Sequence, residues 1–110
     1  MKSNEIYLKH ILDAVTHIQS FLSGITKEDF QKNLLIQSAV IRQLEIVGEA
    51  VKNLSSEFKK IHKHIPWKDI AGLRDKLIHQ YFGVDISLIW EVCQKEIPEL
   101  RKGVSDILQK

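Results

Sequence analysis

Apolar side chains along this chain return every three or four residues, and no stretch alternates apolar with polar in the manner of a strand. Leu8, Ile11, Leu12, Val15, Ile18, Leu22 and Ile25 set the rhythm, which at about 100° per residue gathers them on one stripe of an α-helix. Such a stripe is buried only against another, so a chain written this way packs helix on helix. The sequence has no internal repeat and no glycine-rich phosphate loop. The economical architecture is all-α: an up-and-down four-helix bundle with short connections and a short extra helix ahead of the third main helix. A length of 110 residues supports one hydrophobic core, so residues 1–110 are read as a single domain.

The first helix is expected over about residues 3–23, with Gly24 ending it. Thr26-Lys27-Glu28-Asp29 then supplies an N-cap and acidic residues in the first turn, where they suit the positive end of the helix dipole. One long helix near 27–54 follows, carrying Phe30, Leu34, Ala39, Ile41, Leu44, Val47, Gly48 and Val51. This broad surface suits two neighbours at once and makes the helix central. Gly48 in its interior costs about 1 kcal/mol relative to alanine, which a close helix crossing would offset. Ser55 and Ser56 cap a short turn through about Ile61, and His64-Ile65-Pro66 interrupts the pattern. The third main helix runs from Pro66 to about Tyr81 and stops near Gly83, a C-terminal turn residue. Asp85 caps the fourth, whose Ile86, Ile89, Trp90, Cys93, Ile97, Leu100, Val104 and Ile107 keep helical period, and Pro98 is expected to kink or split it near Glu96.

The bulk properties exclude more than they assign. A net charge of +2 is too small to name a partner, since basicity argues for nucleic acid only when it is large or concentrated. Concentration is found in Lys59, Lys60, His62, Lys63, His64 and Lys68, which lead into the third main helix. The start of the chain lacks the uninterrupted apolar run of a secretory signal or membrane span, so the expected location is the cytoplasm, with no membrane partner. A single cysteine, Cys93, cannot form an internal disulfide; at its core spacing it reads as a small apolar filler. His62-x-His64 with a distant His79 is a poor metal site, because no cysteine or carboxylate completes a tetrahedral set and the adjacent lysines repel a cation. Neither a metal nor a cofactor is expected.

The chemically informative segment is Gly72-Leu73-Arg74-Asp75-Lys76-Leu77-Ile78-His79-Gln80-Tyr81-Phe82-Gly83. On a helical wheel Trp67, Ile70, Ala71, Leu73, Leu77 and Ile78 span an arc of roughly 160°, and Arg74 falls near its middle. Burying an unpaired guanidinium costs several kcal/mol. Either a carboxylate meets it, with Glu45 and Glu49 as internal candidates, or that face opens onto a partner or an anionic ligand. Tyr81 lies seven residues beyond Arg74 on nearly the same line, while Asp75 and His79 are four apart on an adjacent one. Asp75 can orient the His79 imidazole, whose titration near pH 6.5 suits proton transfer in either direction.

Arg-x4-His-x-Tyr, here Arg74, His79 and Tyr81, resembles the signature of the HepT-like subgroup of HEPN (higher eukaryotes and prokaryotes nucleotide-binding) proteins. Gln43-Leu44-Glu45-Ile46-Val47-Gly48-Glu49-Ala50 resembles that family's second helix, and Trp67-Lys68-Asp69-Ile70-Ala71-Gly72-Leu73-Arg74-Asp75 its approach to the motif. The similarity covers essentially the whole chain. It departs in one respect: many relatives have asparagine after the arginine, and Asp75 places a negative charge there instead, which favours a histidine-orienting role over an RNA contact.

The resemblance implies a toxin of a two-gene, type II/VII-like toxin–antitoxin system, forming a homodimer and partnered by a small MNT-type nucleotidyltransferase antitoxin. It implies metal-independent endoribonuclease activity on RNA, with Arg74 and His79 as catalytic residues in a cleft where two motif helices meet, Asp75 and Tyr81 in support, and Tyr81 as a site of AMP attachment. An alternative keeps the fold and dimer but makes the protein a non-catalytic nucleotide- or substrate-binding module presenting its ligand to the transferase. A purely structural helical dimer is the remaining reading, in which Arg74 matters for stability more than activity.

Overall fold

The computed structural model describes the backbone of residues 2–79 and 85–109 and the side chains of residues 3–73 and 85–109. Six helices account for nearly all of it: α1 (Lys2–Leu22), α2 (Lys27–Lys32), α3 (Leu34–Asn53), α4 (Ser56–Ile61), α5 (Trp67–His79) and α6 (Ile86–Leu108). No strand occurs among the described residues. The four long helices form the expected all-α bundle, and α4 is the short helix anticipated before α5.

Polar contacts fix the directions of the helices. Asn4 at the start of α1 accepts a hydrogen bond from the Ser55 backbone N–H just past the end of α3 at 3.0 Å, and its amide donates to Ser55 Oγ at 3.3 Å. His17 pairs with Gln43 near the middle of α3 at 3.3 Å, so α1 and α3 run antiparallel. Arg101 of α6 donates to Gln19 of α1, and Lys27 reaches Glu91 near the start of α6 at 3.4 Å, so α6 also runs against α1. Between them the core closes over Leu8, Ile11, Val15, Ile18, Val40, Leu44, Val47, Val51, Ile89, Ile97 and Val104, all 3% exposed or less. Helix α3 packs against both α1 and α5; its central place was legible in the width of its apolar face. Gly48 is buried on that face with Leu44, Val47 and Val51.

The single helix expected over 27–54 is instead two, divided at Asn33. Asn33 has an extended backbone (φ −114°, ψ 97°) and is at once the C-cap of α2 and the N-cap of α3, its side chain accepting from Ile36 N at 3.0 Å. Across the break the buried Gln37 side chain donates to the carbonyls of Phe30 at 2.8 Å and Gln31 at 3.2 Å. These carbonyls end α2; that of Phe30 also accepts the Asn33 backbone N–H at 3.3 Å. The break changes the helical phase. Phe30 enters the core, 5.6 Å from the Trp90 ring, while Leu34, assigned to the apolar face by periodicity, is 77% exposed and Leu35 80%. The start of α2 is as expected: Thr26 and Asp29 form a reciprocal capping box at 3.1 and 3.2 Å. The hydrogen bond from the Thr26 backbone N–H to its carboxylate, aided by the Thr26 hydroxyl, holds Asp29 below its ordinary pKa.

Asp85 caps α6 by accepting from Leu88 N at 3.2 Å, and α6 then runs unbroken through Pro98. Pro98 removes the amide that would pair with the Gln94 carbonyl. Both residues are exposed, so water can serve that carbonyl and the helix need not split. Cys93 is 4% exposed, and burial pushes its thiol up to about 12.

Two outcomes follow from this packing. Asn33→Ala removes a side-chain cap and should lower unfolding stability by about 0.5–2 kcal/mol in urea titration. An unchanged midpoint would mean that α3 does not depend on this cap. At pH 9 a thiol titrating near 12 is only about one part in a thousand thiolate, so Cys93 should resist iodoacetamide in the folded protein and react rapidly once denaturant exposes it at its ordinary pKa near 8.5. Equal labelling in both states would contradict its burial.

Candidate functional site

The motif helix begins where Pro66 ends a tight corner. Trp67 N donates to the Ile65 carbonyl at 2.8 Å and the Trp67 indole to the His62 carbonyl at 3.0 Å, folding the α4–α5 linker back on itself. Ile70 N closes the first helical turn on the Pro66 carbonyl at 3.2 Å. Phe58 of α4 lies between His62 and Trp67, its ring centroid 4.6 and 6.2 Å from theirs. Trp67 and Ile70 are buried and Leu73 is half-buried, and a groove of about 330 Å³ runs between α5, α3 and α6 beside Ile70, Leu73, Leu44, Val47 and Leu88. The start of α5 is thus held on its neighbours by apolar contact, which fixes the register of everything that follows along it.

Positions 74, 75 and 79 lie on the described backbone of α5; their side chains, and Tyr81 entirely, lie outside the described residues. The register can still be read. The line through Trp67 and Ile70, both buried, passes close to position 74, which is why an arginine there is unusual. Positions 75 and 79 are one turn apart on a neighbouring line. Positions 74 and 79 are separated by about 140° around the axis and about 7.5 Å along it. One copy of α5 therefore turns them to different sides.

Glu45 and Glu49 line a cleft of about 350 Å³ between α1 and α3, shared with Tyr7, His10, Arg42 and Asn53. Glu45 has an ion partner there, Arg42 at 3.8 Å; its suggested pairing with Arg74 lies outside the described residues. The cleft was not visible beforehand because its two walls come from antiparallel helices more than thirty residues apart, and no local spacing links them. His62 and His64 have ring centroids 6.1 Å apart. Among the described residues no group of three or more histidine, cysteine, aspartate or glutamate side chains is arranged to hold a metal ion. No helix among them is long and apolar enough to cross a membrane.

Comparison with known proteins matches residues 11–107 to the family model described as "Ribonuclease HepT-like". A protein of Caldanaerobacter subterraneus subsp. tengcongensis named "Putative RNase" is 54% identical over 110 residues, covering all of this chain and 98% of its own. The "Probable ribonuclease HepT" of Thermococcus cleftensis is 46% identical over 109 residues, 99% of this chain and 98% of its own. A third relative, the "Gamma-glutamylcyclotransferase and putative RNase" of Methanocaldococcus jannaschii, is also 46% identical over 109 residues, but the match is 99% of this chain and only 49% of that protein. No solved structure matches the chain. With a family model matched over nearly its whole length and full-length relatives at this identity, the all-helical chain belongs to the ribonuclease HepT-like family.

Proposed function

We propose that the protein is a metal-independent endoribonuclease whose active site is composite, assembled where the α5 helices of two copies meet, with Arg74 and His79 as its catalytic residues. The observation that carries the reading is the Arg-x4-His spacing on a single described helix of a HepT-like ribonuclease fold. Because the spacing turns positions 74 and 79 about 140° apart, a symmetric second copy supplies what one helix cannot. The homodimer then has a chemical purpose beyond burial of surface.

In this reading one His79 removes the proton of a ribose 2′-hydroxyl. The 2′-oxygen attacks the adjacent phosphorus, the bond from phosphorus to the 5′-oxygen breaks, and the partner's His79 protonates the departing oxygen. The products are a 2′,3′-cyclic phosphate and a 5′-hydroxyl end, with no water consumed. Arg74 stabilises the charge on the non-bridging phosphoryl oxygens through paired hydrogen bonds. Asp75, one turn before His79, fixes the imidazole tautomer. The single domain of residues 1–110 acts in the cytoplasm as the toxin of a pair whose antitoxin is an MNT-type nucleotidyltransferase. Attachment of AMP to Tyr81 by that partner adds bulk and negative charge beside the phosphate site and shuts it by occlusion and repulsion. Family membership and the names of the relatives support the ribonuclease reading; the pairing and the modification rest on the resemblance at Tyr81.

The test is cleavage of a broad transcript pool by purified, unmodified protein in excess chelator. His79→Ala, shown to be a folded dimer, should lower kcat/KM about 10²–10⁴-fold, the range for loss of a general acid–base. Arg74→Lys, which keeps charge but loses the paired hydrogen bonds, should fall between wild type and Arg74→Ala. Cleavage that vanishes with chelator would overturn the metal-free mechanism. No cleavage by folded wild type would replace catalysis with the substrate-presenting module, and full activity in His79→Ala would overturn the assignment of His79 as the base.

A further inference from the structure

The four lysines of the dense basic stretch, Lys59, Lys60, Lys63 and Lys68, do not scatter over the surface. They line one open groove of about 530 Å³ whose floor is Ile65, Pro66, Trp67 and Ala71. Lys59 and Lys60 come from the last turn of α4, Lys63 from the linker and Lys68 from the first turn of α5, so the fold gathers a run in sequence around one open groove. These four charges are twice the net charge of the whole chain, which leaves the rest of the molecule net negative. Among the described residues no carboxylate lines this groove. The α1–α3 cleft, by contrast, carries Glu45 and Glu49, and the groove beneath the other side of the linker carries Glu96, Glu99 and Asp106.

The direction of the groove gives it a role. Lys68, with Ala71 in the floor beside it, forms the edge of the groove along α5. Eleven residues separate Lys68 from position 79, so the two lie within about 20° of the same line of the helix and about 16 Å apart along it. Position 75 falls on that line between them. A chain of phosphates entering over the lysines is therefore led along α5 to the position of the proposed base.

We propose that this groove is the entry track for the sugar–phosphate backbone of single-stranded RNA, with Lys60, Lys63 and Lys68 on successive phosphates and the apolar floor beneath a base. The proposal rests on the ribonuclease reading for the identity of its ligand. A cationic rim over an apolar floor follows a single strand without reading its sequence, and a field of one sign concentrated on an otherwise negative molecule steers that strand to this face. The track gives the enzyme affinity for any strand and leaves selectivity to the site beyond it.

The experiment measures binding of a short fluorescent 2′-O-methyl RNA, which lacks the attacking hydroxyl, across a salt series. Lys60→Gln/Lys63→Gln/Lys68→Gln is compared with Lys9→Gln/Lys95→Gln/Lys102→Gln, an equal loss of charge from exposed sites elsewhere. Lys59 is left in place because it donates to the Val51 carbonyl at 3.4 Å. The groove variant should bind about 10–100-fold more weakly at 0.1 M salt, and its slope of log affinity against log salt should be shallower by about 2, the value for three lost phosphate contacts on a single strand. The control should keep the wild-type slope. Equal weakening in both variants, or an unchanged slope in the groove variant, overturns the track. Failure of the wild type to bind any strand overturns it too, while the cleavage assay above decides the ribonuclease reading separately.

Discussion

Everything in this bundle depends on α3 being packed from two sides. Its buried residues, Val40, Leu44, Val47, Gly48, Ala50 and Val51, cover more of its circumference than one neighbour can bury, so α1 and α5 are both held to it. The hydrophobic gain for fully burying an aliphatic side chain of this kind is about 1.5–3 kcal/mol, far above what the surface ion pairs contribute. Lys9–Glu5 and Lys32–Glu28 are more than half exposed on both sides and belong to the class worth about 0–1 kcal/mol each. The polar contacts that matter are the few at helix ends. Asn4 with Ser55, Asn33 with Ile36 and Gln37 with the carbonyls of Phe30 and Gln31 give main-chain groups at the helix ends side-chain partners.

Much of this was legible in the sequence because periodicity records burial directly. The bounds of α1, α4 and α6, the caps at Thr26, Ser55 and Asp85, the filler role of Cys93 and the central place of α3 all follow from spacing and residue type. The break at Asn33 did not. Leu34 looks like a core residue at a plausible spacing, and the break is favoured by the Asn33 cap together with the Gln37 side chain reaching back over the gap. That contact links residues six and seven apart across two helices and has no periodic signature. Of the two outcomes expected at Pro98, a kink or a split, the split does not occur: facing solvent, Pro98 is accommodated within an unbroken α6.

For the candidate site, residue type and spacing spoke first. An arginine within an apolar arc, with a histidine five residues later, marks α5 in the sequence alone, and the resemblance supplies its chemistry. What sequence cannot convey is convergence. The basic run at residues 59–68 gathers around one groove because the Trp67 indole, bound to the His62 carbonyl, folds the linker so that α4 and α5 both line it. The α1–α3 cleft likewise exists only because two distant helices run antiparallel.

The same linker is anchored to α6 by a contact of a different kind. Gly103 leaves room for Ile65: a Cβ there would stand 2.8 Å from Ile65 Cδ1 and 3.1 Å from Cγ1. The seat is purely apolar, and such contacts are insensitive to ionic strength or strengthened by excluded salts, whereas attraction between lysines and phosphates weakens steeply as salt rises. The scaffold that shapes the basic groove and the charge that lines it therefore answer to separate variables. A change in the ionic medium can unload this face of the protein without loosening the hinge on which it is built.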